Sequence, residues 1–180
     1  MDPSPERNTV LIQVGNAGTL LVQSMSPKLV PATGAQIGYA IRGARDANGV
    51  AAVSGRISVS GDTVHPAGPC AFGTDREIAR VILTVMKFDP RRRCAAFLRF
   101  SDRALAILEG DLFLECISYD ASRAPPGIST MDWGIASCCR DEVPDVIYAG
   151  GTGSGDAPLI LLGEEPAAVA NNIIICSNRI

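Results

Sequence analysis

The chain has 180 residues, of which 47% are hydrophobic and 19% are charged, so it is long enough to bury the core of one globular domain. Its formal net charge of −3 argues against a protein that binds nucleic acid through bulk electrostatics. The opening residues, MDPSPERN, lack the pattern of a signal peptide, and no run of about 18 apolar residues predicts a membrane span. We therefore expect a cytoplasmic protein without membrane or direct nucleic-acid contact.

The first half of the chain alternates short apolar runs with turns. Hydrophobic spacing predicts, in chain order, disorder over 1–8, a strand over 9–14, a helical or irregular segment over 19–30, strands over 37–41, 56–60 and 62–67, and a helix over 74–88. The last two strands are expected to pair across Gly61 and Asp62. The helix is the clearest element, because Thr74 and Glu77 form a capping box ahead of apolar residues at helical spacing.

The second half continues this alternation. The pattern predicts, in chain order, a central strand over 94–100, a short helix over 102–109, a strand over 111–119, a loop over 121–127, a helix over 129–139, strands over 146–150 and 159–163, and a helix over 166–173. Ser101 is the expected N-cap of the helix over 102–109. Several strand pairs are joined by turns too short for a crossover. The expected fold class is therefore α/β, with a mixed sheet and helices on its faces.

Six cysteines and one histidine restrict the chemistry. No two cysteines form a C-x-x-C pair, so a zinc site has little support. Several cysteines lie in apolar runs, where cysteine acts as a small hydrophobe, and a reducing compartment is expected. His65 is predicted to be an exposed residue at a strand end. The acidic pairs at 141–142 and 164–165 could help hold Mg²⁺ beside a substrate phosphate, but such pairs are common on solvated surfaces.

The stretch VIYAGGTGSGDAP, residues 146–158, joins an apolar strand to a glycine-rich loop. Backbone amides in such a loop can surround an anion. The loop is neither a dinucleotide fingerprint nor a P-loop, because Asp156 stands where the third glycine belongs and no lysine follows.

Three arginines lie within apolar elements and are candidates for an anion site: Arg56, Arg80 and Arg99. The planar fork of arginine suits phosphate or carboxylate. Each arginine could instead form an internal ion pair, because a buried arginine is rare unless it is paired. The candidate partners for such pairs are Asp75, Asp102 and Asp120. Both interpretations remain open at this point.

A family resemblance runs through most of the chain. The segments KLVPATGAQIGYAI, VAAVSGRI, FGTDREIARVILTVMKFDP, LRFSD, STMDWGI, and VPDVIYAGG with APLILLG are similar, in this order, to the ThiN-type thiamine-phosphate synthase family. The resemblance implies a three-layer α/β/α domain with a mixed, mostly antiparallel sheet over 28–180, preceded by an N-terminal extension over 1–27. It also implies a homodimer, for which the apolar but proline-containing segment 24–40 is the expected contact.

The resemblance implies a transferase of thiamine biosynthesis. Such enzymes join hydroxymethylpyrimidine diphosphate to a thiazole phosphate, giving thiamine phosphate and pyrophosphate. Cationic groups, usually with Mg²⁺, would stabilise the charge that develops as pyrophosphate leaves. Mg²⁺ is therefore a candidate cofactor, although the sequence itself identifies none. The expected partners are thiamine phosphate or its pyrimidine and thiazole phosphate precursors.

The resemblance also assigns site residues. Arg56 and Arg99 match family arginines and are the candidate catalytic residues. The candidate substrate-binding residues are Arg80, Ser101, Gly151, Gly153, Ser154 and Gly155. The sequence departs from the family motifs at Glu77, where the family has a histidine. It also departs where the family has charged residues, namely at Ala121, Ala149, Gly150, Asp156 and Ala157.

Three functions are compatible with these residues. The first is an active thiamine-phosphate synthase that uses the three arginines and the amides of the glycine-rich loop. The second is a non-catalytic module that senses or sequesters thiamine phosphate. The third is a diverged relative that binds a partner and no thiamine ligand.

Overall fold

The structure is a computed structural model that describes residues 4–150 and 156–180. Its α-helices are α1 (Ser4–Ser24), α2 (Arg76–Met86), α3 (Asp102–Ala106), α4 (Thr130–Cys138) and α5 (Pro166–Arg179). Its strands are β1 (Gln36–Ala40), β2 (Val50–Val53), β3 (Ile57–Ser60), β4 (Thr63–Pro66), β5 (Cys70–Phe72), β6 (Cys94–Leu98), β7 (Cys116–Asp120), β8 (Val146–Gly150) and β9 (Leu159–Gly163).

Seven strands of the described chain form one sheet, in the order β5-β2-β1-β6-β9-β8-β7. Neighbouring strands run antiparallel except β7 and β8, which pair in parallel. β6 lies in the centre, as its continuous apolar sequence predicts. β3 and β4 form a separate hairpin across Gly61 and Asp62. The prediction of a mixed, mostly antiparallel sheet is confirmed.

Helices cover both faces of the sheet. α1, α3 and α5 pack on one face, where Leu21 and Ile173 join strand residues in one buried cluster. α2 and α4 pack on the other face, where Ile82 and Ile135 belong to a second buried cluster. The two clusters lie on opposite sides of the sheet, because alternate residues of a strand point to opposite faces. The domain is therefore the three-layer α/β/α fold that the resemblance implies.

α1 stands where disorder over 4–8 and a strand were predicted, whereas residues 1–3 of the segment predicted to be disordered lie outside the described residues. The strand over 9–14 is wrong, and residues 4–8 belong to the same helix. The buried residues of α1 follow helical spacing and are Val10, Val14, Ala17 and Leu21. They join the core cluster that contains β1, so no break in the core separates α1 from the domain expected to begin at residue 28.

Other boundaries differ for local reasons. The strand predicted over 111–119 begins only at Cys116, because Ile107–Asp111 forms a π-helical turn. α5 continues to Arg179 instead of ending at residue 173. β2 and β5 are two short strands, of four and three residues, that the pattern does not predict.

The segment expected to form a homodimer contact, 24–40, is largely internal. β1 is buried along its whole length between β2 and β6, and Leu29 and Val30 lie in the core. Lys28, Ala32 and Thr33 are exposed. The segment therefore offers little apolar surface to a second copy of the chain.

None of the helices within the described ranges is both long and apolar enough to cross a membrane.

Leu21→Ala should destabilise the protein by about 2–5 kcal/mol, because it leaves a cavity under α1 in the main core. Leu20→Ala is the matched control, since the neighbouring Leu20 is 40% exposed and Leu21 only 1%. Its effect should stay within about 0.5 kcal/mol. Urea-induced unfolding measures both values. Equal effects of the two substitutions would contradict the placement of α1 in the core.

Candidate active site

Four strands that run in the same direction end at one edge of the sheet, which we call the rim. β2 and β6 both flank β1 antiparallel, and β9 lies antiparallel between β6 and β8, which pairs in parallel with β7. β2, β6, β7 and β8 therefore end together. Arg56 follows β2, Arg99 and Ser101 follow β6, and β8 ends at Gly150. The rim gathers three of the predicted site residues, Arg56, Arg99 and Ser101.

Four predicted substrate-binding residues lie outside the described part of the chain, namely Gly151, Gly153, Ser154 and Gly155. Asp156 is exposed where the described chain resumes ahead of β9.

Arg56 lies in a tight turn between β2 and β3 instead of within a strand. Its φ of 69° falls in the left-handed region, which residues other than glycine rarely adopt. Gly34 packs so closely that an added Cβ there would lie 2.8 Å from the Cβ of Arg56. The Arg56 amide donates to the carbonyl oxygen of Val53 at 3.2 Å. A strained backbone held in this way is typical of functional sites.

Asp75 holds one edge of the Arg56 guanidinium. Nε of Arg56 donates to Oδ2 of Asp75 at 2.8 Å, and Nη2 donates to Oδ1 at 3.3 Å. We call this pair of N–H groups the inner edge. Nη2 also lies 3.6 Å from Oε1 of Glu77. The side chains of Arg56 and Asp75 are 17% and 8% exposed, whereas that of Glu77 is 50% exposed. Arg56 thus has one buried and one exposed carboxylate partner.

Gln36 supports Asp75 from the first residue of β1. Its Nε2 donates to Oδ2 of Asp75 at 3.0 Å and to the carbonyl oxygen of Val53 at 2.8 Å. Its Oε1 accepts from the amides of Ile37 and Val53 at 3.0 and 2.9 Å. Gln36 is 1% exposed, and these contacts use the full hydrogen-bonding capacity of its amide. The Arg56 guanidinium also lies 5.3 Å from the ring centre of Phe97, within the range of a cation–π contact.

Asp75 is also the N-cap of α2. Its Oδ1 accepts from the amides of Glu77 and Ile78 at 3.1 and 3.2 Å. The capping box predicted Thr74 as the N-cap of α2. The structure shows that Asp75 is the N-cap instead. One carboxylate ties the start of α2 to the turn that carries Arg56.

The charge of Asp75 is stabilised in the folded state. Burial alone would raise its pKa, but hydrogen bonds from Arg56, Gln36 and the Ile78 amide, together with the positive charge of Arg56, hold the pKa below its usual value. Asp75 therefore stays ionised and keeps the Arg56 guanidinium in place.

Arg80 lies one turn beyond Glu77 on the exposed face of α2. It forms an ion pair with Asp132 in the first turn of α4, and its side chain is 59% exposed. The start of α2 and the start of α4 enclose a cavity of about 310 Å³, lined by Arg76, Glu77, Arg80, Ser129, Met131 and Asp132. Glu77 contacts Arg56 and also lines this cavity. Glu77 thus lies near both Arg56 and Arg80.

Arg99 and Ser101 follow β6 at the rim. The Arg99 amide donates to the carbonyl oxygen of Leu29 at 2.7 Å, which fixes the backbone. The sequence predicted Arg99 within the strand over 94–100. This prediction is wrong, because β6 ends at Leu98 and Arg99 is exposed. Ser101 caps α3 as predicted, because its Oγ accepts from the amide three residues later at 3.0 Å.

Phe100 and Tyr148 form an aromatic pair beside Arg99. Their ring centres are 5.7 Å apart, and the ring planes differ by 25°. Phe100 is 36% exposed. The pair therefore offers a partly exposed aromatic surface just beyond the end of β6.

The sequence predicts the three arginines and offers Asp75 as one candidate ion-pair partner, which the structure pairs with Arg56. It does not predict the contacts of Gln36 and Asp132. Gln36 has a weak signal in the sequence, since it is a polar residue directly ahead of the apolar run IGYA. Asp132 pairs with Arg80 only through packing of α2 against α4. The ligand-binding roles of the three arginines stay predictions.

The described residues offer neither an activated thiol nor a cluster of three or more metal ligands. Burial raises the pKa of Cys116 to about 12 and the pKa of Cys139 and Cys176 to about 11. His65 is exposed in β4. In residues 4–150 and 156–180, no group of three or more His, Cys, Asp or Glu side chains is placed to hold a metal ion. The described residues therefore build no Mg²⁺ site from protein ligands alone.

A family model described as "Thiamine-phosphate synthase ThiN" matches residues 13–175. The chain belongs to this family. The match confirms the resemblance and extends it into α1.

Individual ThiN relatives agree with this assignment. The chain is 31% identical over 159 residues to the bifunctional thiamine biosynthesis protein ThiDN of Methanocaldococcus jannaschii, covering 85% of this chain and 37% of that protein. It is 30% identical over 128 residues to the thiamine-phosphate synthase ThiN of Methanothermobacter thermautotrophicus, covering 67% of each. The chain thus spans just over a third of the length of the bifunctional relative.

The fold of a solved ThiN-like domain is also similar. The crystal structure of a C-terminal domain of phosphomethylpyrimidine kinase superposes with a TM-score of 0.86 at 26% identity, covering 95% of this chain and 100% of that one. The three-layer arrangement around the rim is therefore shared with that domain.

Asp75→Asn should destabilise the ThiN domain by about 3–5 kcal/mol at neutral pH, because it leaves the buried Arg56 without its charged partner. The folded-state pKa of Asp75 is lowered, so its contribution is complete above the unfolded value of about 3.9 and is lost as the pH falls through the folded value. The difference in unfolding free energy between wild type and variant should therefore shrink below about pH 4. Urea titrations from pH 7 to pH 3 measure it.

Asp132→Asn is the control for this experiment. It breaks an ion pair whose arginine is 59% exposed, so its effect should stay below about 1 kcal/mol. An Asp75 effect as small as the Asp132 effect, or one that does not change with pH, would contradict a buried, ionised Asp75.

Proposed function

We propose that this chain is a thiamine-phosphate synthase domain of thiamine biosynthesis. Family membership over residues 13–175 carries the proposal. The geometry supports it, because the three motif arginines lie at or beside one rim: Arg56, Arg80 and Arg99. Its substrates are hydroxymethylpyrimidine diphosphate and a thiazole phosphate.

The proposed reaction is a substitution at the methylene carbon of the pyrimidine. The bond between this carbon and the diphosphate oxygen breaks, and its electron pair leaves with pyrophosphate. The lone pair of the thiazole nitrogen forms the new C–N bond, which makes that nitrogen cationic. Neither an oxidant nor a proton transfer is required. The protein has to orient two rings and stabilise negative charge on the departing pyrophosphate.

The residues at the rim suit these tasks. Arg99 projects into solvent without an ion pair to the described residues, and it is the guanidinium most available to the departing pyrophosphate. Arg56 and Arg80 contribute positive charge on the α2 side of the rim. Phe100 and Tyr148 offer a surface on which a heteroaromatic ring can stack. Ser101 has a hydroxyl proton left to donate, since its oxygen accepts the capping hydrogen bond.

The non-catalytic alternative is a module that binds thiamine phosphate without making it. Arg56 and Arg80 are already paired with carboxylates of the chain. This pairing favours ligand binding without catalysis over fast turnover. The homodimer is a further proposal, which follows from the family. The cytoplasmic location and ligand binding by Gly151, Gly153, Ser154 and Gly155 are also proposals, and they follow from the sequence.

Purified protein incubated with both precursors and Mg²⁺ should form thiamine phosphate and pyrophosphate in a one-to-one ratio, measured by chromatography with mass detection. Arg99→Ala should lower kcat/KM by about tenfold to a hundredfold, since a charge-assisted hydrogen bond contributes about 1.5–3 kcal/mol. The unfolding free energy should not change, because the Arg99 side chain is exposed.

Arg91→Ala is the matched control, because Arg91 is an exposed arginine near the opposite end of β6. It should leave kcat/KM unchanged. A thermal shift with thiamine phosphate but no product would support the binding module instead. Neither product nor thermal shift would exclude both functions.

A further inference from the structure

We propose that Glu77 occupies, in the free protein, the place that a phosphate group of the ligand takes on Arg56, and that the ligand displaces it. This inference rests on the proposed function, which supplies a phosphorylated ligand. It assigns the two carboxylates on Arg56 different roles. Asp75 is a permanent partner, and Glu77 is an exchangeable one.

Burial and hydrogen bonding separate the two carboxylates. Asp75 is 8% exposed and accepts from Gln36, from Arg56 and from two amides of α2. It cannot leave without exposing the end of α2 and leaving Gln36 unsatisfied. Glu77 is 50% exposed, and its single ion contact in the described chain is at 3.6 Å. Glu77 can therefore turn into solvent with little loss.

The guanidinium has hydrogen-bonding capacity left for a ligand. Arginine has five N–H donors. Nε and one N–H of Nη2 serve Asp75, and Nη1 makes no hydrogen bond within the described residues. Nη1 and the second N–H of Nη2 form an outer edge, which Glu77 approaches. Two parallel N–H groups at this edge match the oxygen spacing of a phosphate.

The charges at this point explain why Glu77 has to move. Arg56 contributes one positive charge, whereas Asp75 and Glu77 contribute two negative charges. Arg80 and Asp132, which line the same cavity as Glu77, neutralise each other. With Arg76, which lines the same cavity as Glu77, these residues carry no net charge as long as Glu77 stays, and they become net positive once its carboxylate has moved away. Movement of Glu77 to solvent removes the like charge from the phosphate and opens the outer edge.

The direct test is calorimetric titration of the full chain with inorganic pyrophosphate at fixed ionic strength. Glu77→Gln should bind pyrophosphate about threefold to tenfold more tightly than the wild type, because a like charge near a partly exposed site is removed. Glu109→Gln is the matched control, since Glu109 is exposed in the π-helical turn away from α2. It removes the same charge from the molecule and should leave the affinity unchanged.

Arg56→Lys combined with Glu77→Gln tests whether the gain acts through Arg56. Lysine keeps the charge but lacks the planar fork, so the gain should disappear. Urea unfolding confirms that each variant is folded. Equal affinities for Glu77→Gln and Glu109→Gln would overturn the inference. So would a gain that persists without Arg56, or no pyrophosphate binding by folded Glu77→Gln protein.

These results separate the inference from the proposed synthase activity. Tighter pyrophosphate binding by Glu77→Gln, with no product formed by the wild type, supports exchange at Arg56 and rejects the synthase. Product formation by the wild type, with no effect of Glu77→Gln on pyrophosphate affinity, supports the synthase and rejects the exchange.

Discussion

The ion pair between Arg56 and Asp75 is the contact on which the rim depends. It joins three parts of the chain that are distant in sequence, namely the start of β1 through Gln36, the turn after β2, and the first turn of α2. A buried charge is tolerated only when it is paired and hydrogen-bonded. Asp75 therefore cannot be removed without releasing Arg56, and the strained turn at Arg56 keeps its orientation because Gly34 and Asp75 hold it from two sides.

The same pair connects folding with ligand binding. The inner edge of the guanidinium is committed to the fold, whereas the outer edge faces Glu77 and solvent. Arg99 follows the central strand β6, is exposed and forms no ion pair with the described residues. The rim thus combines an arginine held by the fold with an exposed one. This division suits a reaction in which a diphosphate must be held in one orientation while its bond to carbon breaks.

Much of the fold follows from local sequence signals, and the site follows from them only in part. The continuous apolar run of β6 and the helical spacing of α2 identify those elements. The strand predicted over 9–14 is wrong, because a short apolar run is compatible with a strand or a helix. Packing against the sheet selects the helix α1. Arg56 and Arg99 are recognisable as motif residues. Their different environments depend on where Asp75 and Gln36 come together in space, which no local pattern encodes.

A crystal structure of the chain with bound pyrophosphate tests the central claim, that Arg56 has one edge for the fold and one for the ligand. Nε of Arg56 should remain near 2.8 Å from Oδ2 of Asp75, as in the free protein. Pyrophosphate oxygens should lie within hydrogen-bond distance of Nη1 and Nη2, and the carboxylate of Glu77 should have turned away from Arg56. Pyrophosphate bound only at Arg99, with the contact between Arg56 and Glu77 intact, would contradict the claim.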